Sequence, residues 1–390
     1  MTTTTRWRIL MLSKACVVGI YQRKLEAIAR HDDIELRVLV PPSWRDERGV
    51  QALERVYTQG YDLHTIPIAL NGNFHLHFYP TLGREMRAFR PHLVHIDEEP
   101  YNLAAWQALA WARHLRAKSL FFSWQNILRR YPPPFAWGER WVLRHVDGAL
   151  MGTESAAQVW HDKGYRGTLA IVPQFGTDPQ LFQPRPRPTG QPFTIGYVGR
   201  LVEEKGLFVL LNALAQLPQD KPWRVHLIGG GPLRPALEQQ GQTLGLAERL
   251  HFVGQVASTA MPQAMNALDT LVLPSLTRPN WKEQFGRALI EAMASGLPVI
   301  GSTSGAIPDV IGEAGLIVPE GDAPALAAAL RHLMDDPTAR ARLGQQGRAR
   351  VLAHFTHDEI AEATVTFYRA LLKLPQLSTY QATVIRPSAS

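Results

Sequence analysis

The chain has 390 residues, 45% of them hydrophobic and 19% charged, enough for two ordinary domains. This mix excludes a disordered chain, a coiled coil and a collagen-like repeat. No apolar run nears the roughly 20 residues of a membrane span, and a lone Cys16 excludes a disulfide framework or a cysteine-based metal cluster. The net charge of +7 is one-sided: residues 1–190 hold 24 Lys+Arg against 17 Asp+Glu, and residues 191–390 hold 17 of each. An anionic partner is therefore expected on the first half, whether phosphorylated substrate, membrane face or nucleic acid.

The N-terminal residues read as a short polar tail followed by a strand, not as a signal peptide. Strands are then predicted at Trp7–Leu12, Ile34–Val40, Leu93–Ile96, Leu120–Phe122, Ala149–Met151 and Leu169–Val172, with helical patterns between them such as Tyr21–Arg30 and Leu103–Leu115. The segment 184–192, PRPRPTGQP, reads as a stiff linker. Strands resume at Phe193–Val198, Arg224–Ile228, Leu250–Val253, Thr270–Leu273, Pro298–Gly301 and Gly315–Val318, with a helix at Arg287–Ala294. Such alternation gives right-handed βαβ units and parallel sheets. The expected organisation is α/β: an N-terminal Rossmann-like domain over 1–183, the linker over 184–192 and a second Rossmann-like domain over 193–356, with a cleft between the domains. A C-terminal helix over 357–373 is expected to pack back toward the first domain, ahead of a loosely ordered tail over 374–390.

Three motifs carry chemistry. Gly199-Arg200-Leu201-Val202-Glu203-Glu204-Lys205-Gly206 follows a strand and opens a helix, a geometry that binds anions; Arg200 offers a rigid fork and Lys205 a point charge, together suited to a diphosphate. An ordinary charged surface loop would read the same. Gly229-Gly230-Gly231-Pro232 allows a ligand or a neighbouring chain to approach the backbone, but it lacks the third glycine of the dinucleotide fingerprint. In Glu283-Gln284-Phe285-Gly286-Arg287-Ala288-Leu289-Ile290-Glu291, two acids stand eight apart. Glu283 falls in a loop and Glu291 about a turn and a half into the helix, and Phe285 and Gly286 open it. One carboxylate can bind sugar hydroxyls and balance a cationic centre, and the other can hold a pair of ribose hydroxyls. The competing reading is a helix-capping acid and a solvated one.

In this order and spacing, GRLVEEKG, IGGGPL and KEQFGRALIEAMASGLPVIGSTSGAIPDVI resemble the retaining family 4 glycosyltransferases of the GT-B fold, strongly over 193–320 and more weakly in the first half. The resemblance implies that Arg200 and Lys205 hold the donor diphosphate and help it depart, that Glu283 lies beside the transferred sugar, and that Glu291 binds the nucleotide ribose. It further implies donor contacts at Gly199, Gly231, Phe285, Gly286 and Gly305, and at Gly19 across the cleft. Gln174-Phe175-Gly176-Thr177-Asp178 resembles the family's Asn-Gly-Val-Asp run. Many relatives carry a histidine where Gln125 stands, and Gly-Gly where Val18 precedes Gly19. The acids after Ile96, Glu98 among them, sit at a strand end where they could bind acceptor hydroxyls or equally cap the next helix; further acceptor contacts are expected at Gln125 and Asn126. No Asp-x-Asp triplet occurs, and the resemblance implies no metal and no cofactor beyond the nucleotide-diphosphate sugar as co-substrate. The expected acceptor is a glycan, lipid-linked or phosphorylated molecule; the lone Cys16 points to a reducing, cytoplasmic setting, and the basic first half to peripheral contact with an anionic inner membrane face.

His75 and His77 have metal-like spacing on an expected strand, with His92 and His95 nearby, but nothing completes a site and packing is the preferred reading. Trp137 and Trp141 read as a core stripe beside solvated Arg140 and Arg144, in preference to a membrane-resting face. Arg84, Arg87 and Arg90 form another basic face. Three other readings compete: a nucleotide-sugar epimerase of the same fold, a non-catalytic nucleotide-sugar binder, and a nucleic-acid binder, the last disfavoured because no recognisable module is present.

Overall fold

The computed structural model describes residues 6–46, 49–186 and 190–373, and the backbone of 384–385. It divides into two compact units: Met1–Phe175 with His357–Ser390, and Gly176–Thr356. The proline-rich segment lies within the second span, its residues 187–189 outside the described residues, as is most of 374–390.

The first unit contains β1 (Trp7–Leu12), β2 (Ile34–Val40), β3 (Ser43–Asp46), β4 (Gly49–Ala52), β5 (Asp62–Thr65), β6 (Leu93–Ile96), β7 (Lys118–Ser123), β8 (Gly148–Met151), β9 (Thr168–Ile171) and β16 (Val384–Ile385); β10 to β15 belong to the second. One sheet runs in the order β16-β9-β8-β7-β6-β1-β2-β5, and every pair in it is parallel. Its strands are near-continuous apolar runs because helices cover both faces. Side chains alternate across the sheet. Leu10, Leu12, Val94, Ile96 and Phe121 pack with Met86, Ala108 and Leu109 from the helices Leu82–Phe89 and Leu103–His114. Ile9, Met11, Val38, Leu93 and Leu120 pack on the other face with Leu25 and Ile28 of the helix Arg23–Ala29 and with Val365 and Phe367 of the helix His357–Lys373. That last helix is also tied down by polar contacts. Arg369 grips both oxygens of Asp33 at 2.9 and 2.8 Å, and the Tyr368 hydroxyl stands 2.6 Å from His95 Nδ1.

The second unit has β10 (Phe193–Val198), β11 (Trp223–Ile228), β12 (Leu250–Gly254), β13 (Thr270–Leu273), β14 (Val299–Ser302) and β15 (Leu316–Val318), in the order β12-β11-β10-β13-β14-β15, again all parallel. Strand order reverses between β1 and β6 in the first sheet and between β10 and β13 in the second. In such sheets, ligands bind beyond the carboxyl ends of the strands at this reversal.

Three local expectations change. The antiparallel pair β3–β4 and the edge strand β5 carry little apolar alternation: β4 is fully exposed and only Leu63 of β5 is buried. His75 and His77 are not on a strand, because Asn71-Gly72-Asn73 turns the chain and the Asn73 side chain accepts the amides of His75 and Leu76. Trp137 is 61% exposed, since the helix Phe135–His145 turns Glu139 and Val142 inward instead; only Trp141 packs at the core edge.

Candidate active site

In the second unit, Gly199 and Arg200 follow β10, and Pro274 and Ser275 follow β13, so both segments sit at the strand reversal. The loop after β10 is fixed by its own backbone. The Tyr197 hydroxyl donates to the Arg200 carbonyl at 2.6 Å, and the Leu276 amide donates to the Glu204 carbonyl at 2.8 Å. Gly206, left-handed at φ +67°, starts the helix Leu207–Leu214; a Cβ there would lie 1.9 Å from the Pro274 carbonyl oxygen. Only glycine lets the two loops meet at this spacing.

That meeting places Lys205 against Glu283. The ammonium donates to Glu283 Oε2 at 2.5 Å, and the Ser275 hydroxyl donates to the same oxygen at 2.8 Å. Ser275 is itself held, its carbonyl accepting from the Ser302 hydroxyl at 2.5 Å. The Lys205 ammonium also lies 4.9 Å from the centre of the Trp281 ring. Arg200 is exposed on the same loop.

Glu291 lies within the helix Arg287–Ala294, buried, and pairs with Arg287 at 2.7 Å. Burial pushes its carboxyl above the usual range, and Arg287 offsets part of that rise. Gly286 is the N-cap, left-handed at φ +75°. Phe285 is buried with its ring 5.8 Å from that of Phe355. A Cβ on Gly231 would stand 2.4 Å from the Leu201 carbonyl oxygen, and one on Gly229 would stand 1.9 Å from that of Gly199. The three-glycine run thus docks one loop on the other, with the Leu201 amide donating to the Gly230 carbonyl at 2.9 Å.

A second cluster occupies the strand reversal of the first unit. Ser13 and Lys14 follow β1, and Asp97, Glu98 and Glu99 follow β6. Ser13 donates to Asp97 at 2.5 Å, and Lys14 pairs with Glu98. His77 Nε2 stands 3.3 Å from Glu98 Oε1, near enough for attraction though not aligned for a hydrogen bond. Burial works to raise the Glu98 carboxyl, but Lys14 and His77 outweigh it and hold it at about 2. Glu99 accepts from the Ser123 hydroxyl at 2.7 Å and the Trp124 amide at 3.2 Å; burial nonetheless pushes it to about 7. Gln125 spends its side-chain amide within the unit, donating to the Ile127 carbonyl at 3.0 Å and accepting from Lys163 at 3.2 Å. Asn126 is buried beside it. Gly19 donates its amide to Glu54 at 2.7 Å, and a Cβ there would meet Val56 at 2.5 Å. Aromatic rings gather around this cluster: Tyr101 stacks on Tyr131 at 4.2 Å, and Lys14 lies 4.8 Å from the Phe74 ring.

Sequence reasoning missed Ser275, Ser302, Ser13 and Lys14, and gave His77 a packing role only. Their shared signal is position, just past the carboxyl end of a strand at a reversal or folded onto such a residue.

Two doubly wound, parallel Rossmann-like units form a GT-B architecture, which solved structures share. The sucrose-phosphate synthase of Thermosynechococcus elongatus superposes with a TM-score of 0.68 at 23% identity, covering 94% of this chain and 99% of that one. A glycosyltransferase from Rickettsia africae gives 0.71 at 16% identity, with 94% and 99% covered. Residues 179–350 match the family model for glycosyl transferases group 1. An MMP alpha-(1->4)-mannosyltransferase of Mycolicibacterium hassiacum is 29% identical over 63% of this chain and 59% of its own length. The 2-deoxystreptamine N-acetyl-D-glucosaminyltransferase of Streptomyces fradiae is 36% identical over 38% and 35%. The chain spans less than two thirds of the length of the curated relatives it matches.

Proposed function

We propose that the chain is a retaining glycosyltransferase that moves a sugar from a nucleotide-diphosphate donor to a hydroxyl of a cell-envelope, lipid-linked or polysaccharide acceptor. The observation that carries this reading is the Lys205–Glu283–Ser275 contact at the strand reversal of the second unit. It joins one cation suited to a diphosphate and one carboxylate suited to sugar hydroxyls.

An ammonium has three donors, so Lys205 can keep Glu283 and still reach a diphosphate oxygen. Arg200, on the same loop, adds a second charge. Together they stabilise negative charge on the departing diphosphate, in the place a divalent cation would otherwise take. Glu283, fixed by two donors on one oxygen, is positioned to accept sugar hydroxyls and offset positive charge at the anomeric carbon. It is poorly suited to be a covalent nucleophile. The reading is therefore attack on the face the diphosphate leaves. The acceptor oxygen bonds the anomeric carbon, the bond from that carbon to the diphosphate oxygen breaks, and the acceptor proton passes to the departing oxygen. Glu291 would hold the ribose hydroxyls if the donor displaced Arg287 from part of its carboxylate.

The first-unit crevice suits the acceptor. His77 Nε2, Tyr79 Oη, Glu98 Oε1 and Asn102 Oδ1 are buried without hydrogen-bond partners, an arrangement that favours an incoming polar ligand. Exposed Leu128 and Trp137, beside exposed Arg129, Arg130, Arg140 and Arg144, support peripheral contact with an anionic bilayer on its cytoplasmic side. No described helix is long and apolar enough to cross one.

The test is donor hydrolysis across UDP-, GDP- and ADP-sugars. UDP-glucose comes first, because the structurally similar HepE of Anabaena was solved with it. One donor should be cleaved, and Glu283→Ala and Lys205→Ala should abolish that cleavage. No cleavage and no calorimetric binding of any donor would overturn the reading.

A further inference from the structure

A cavity lies at the amino-terminal end of the first sheet, opposite the Asp97–Glu98 cluster, with a volume of about 600 Å³. That is within the usual range for small-molecule sites. Trp7 and Arg8 enter it from the start of β1, His92 from just before β6 and Lys118 from the start of β7. Arg87 and Arg90 reach it from the end of the helix Leu82–Phe89, and Leu115 and Arg116 from the end of Leu103–His114. Strands of four to six residues separate it from the Asp97–Glu98 cluster, roughly 13–20 Å at about 3.3 Å per residue.

Among the described residues, no carboxylate lines this cavity. Asp147 pairs with Lys118 at 3.1 Å, and Glu35 acts on His92 at longer range. Among the described residues, Arg8, Arg87 and Arg90 form no ion pair. Arg8 instead donates to the Arg90 carbonyl at 2.8 Å, and Arg87 donates to the Gly83 carbonyl at 3.2 Å and lies over Trp111. His92 Nδ1 accepts the Arg8 amide at 2.9 Å, which puts the ring proton on Nε2 as one more donor.

Helix carboxyl ends attract cations on their own account, which would explain Arg87 or Arg90 singly. It does not explain why Arg8 and Lys118 converge there from strand starts. Nor does it explain Arg90 and Arg116, which hold left-handed backbone at φ +50° and +56° where glycine is the usual residue. Strain of that kind persists where the side chain is needed.

We propose that this cavity binds a small phosphorylated ligand carrying more than one negative charge, with Arg8, Arg87, Arg90, Arg116 and Lys118 holding phosphate oxygens and Trp7, Pro91, Leu115 and Leu372 flanking its remainder.

The test is calorimetry on the full chain with inorganic pyrophosphate, comparing wild type, Arg90→Gly, Arg87→Gln and Lys205→Ala. Because Lys205 belongs to the proposed donor site, binding at the basic cavity should survive Lys205→Ala. It should weaken at least tenfold in Arg90→Gly and Arg87→Gln, with the melting temperature of Arg90→Gly unchanged or raised. Parallel flotation with phosphatidylglycerol vesicles separates the sources: vesicle binding lost in Arg90→Gly, without pyrophosphate binding, would show a singly charged lipid headgroup in place of a small polyanion and overturn the proposal. Pyrophosphate and vesicle binding both indifferent to Arg90→Gly and Arg87→Gln would overturn the proposal, even if donor cleavage remained intact.

Discussion

Gly305 and Glu283 meet backbone to backbone. A Cβ on Gly305 would lie 2.1 Å from the Glu283 carbonyl oxygen and 2.9 Å from its amide nitrogen. The same carbonyl accepts the Ala306 amide at 3.0 Å. Gly305 is left-handed at φ +55° and therefore acts as the backstop of the carboxylate loop.

It follows that Gly305→Ala moves Glu283 without touching any charged atom. The backbone cannot yield cheaply on both sides, so stability should fall by about 1–3 kcal/mol. Donor cleavage should fall by ~100-fold, because misplacement by about 1 Å is costly at a reacting centre. A thermal melt and a donor-hydrolysis assay on the same preparation check this; a variant with wild-type turnover would refute it.

Ser275 offers a milder version. It is fully buried and donates a hydrogen bond to Glu283 Oε2. Ser275→Ala removes a hydrogen bond to a charged group, about 1.5–3 kcal/mol. Turnover should drop ~10-fold or somewhat more, while Lys205→Ala should cost at least ~100-fold by removing positive charge from the leaving group. Single-turnover cleavage rates rank the two.

Glu99 sets a pH dependence of stability. Its folded carboxyl is raised by burial to about 7, against an ordinary value of 4.5, with the Ser123 and Trp124 donors offsetting part of the rise. The folded state therefore keeps a proton that the unfolded chain has already released. The contribution is fully present below pH 4.5 and is lost as pH rises through 7. Melting temperature should decline between about pH 5 and pH 8, and Glu99→Gln, which mimics the protonated form, should flatten that decline. A steeper decline in the variant would contradict this.

Arg90 should be more stable as glycine. The position closes the helix Leu82–Phe89 with φ +50° and ψ +63°, where a Cβ costs about 1 kcal/mol. The two backbone contacts that fix it, its amide to the Met86 carbonyl and its carbonyl to Arg8, do not depend on its side chain. Arg90→Gly should gain up to about 1 kcal/mol in urea unfolding with an unchanged m-value.

Much of this was legible in the chain itself. Trp7–Leu12, Ile34–Val40, Leu93–Ile96, Phe193–Val198 and Thr270–Leu273 match their expected bounds, because strands largely covered on both faces leave a predominantly apolar run even where Arg8, Glu35 or Arg37 interrupts it. The loop-borne pair Lys205 and Glu283, 78 positions apart, was named together from motif order and proves to be in contact. Other features were hidden for physical reasons. The run Gly229–Gly231 left open a ligand or a neighbouring chain at its backbone; at 229 and 231, as at 206 and 305, a carbonyl oxygen of the neighbouring loop stands where a Cβ would go. Gln125, expected near the acceptor in place of a histidine, engages Ile127 and Lys163 through its side-chain amide, and Lys163 lies outside its local sequence pattern. The cavity around Arg90 draws on four elements, and no local pattern could assemble it.

The path of the chain through its two units has a consequence for biosynthesis. The second unit is one unbroken span, Gly176–Thr356, inserted into the first. The first shares its core with the helix His357–Lys373, whose Tyr368 meets His95 and whose Phe367 and Leu371 close over Gly148, and that helix buries Ile360, Val365, Phe367, Tyr368 and Leu371 in doing so. At about 1.5–3 kcal/mol for each large apolar side chain, this lid of core is worth on the order of 10 kcal/mol, comparable to the whole stability of a domain. On the ribosome, the usual order of assembly is therefore reversed. The span made later can fold as soon as it emerges, while the span made first stays open on one face until the last helix arrives, exposed for that interval to chaperones and proteases.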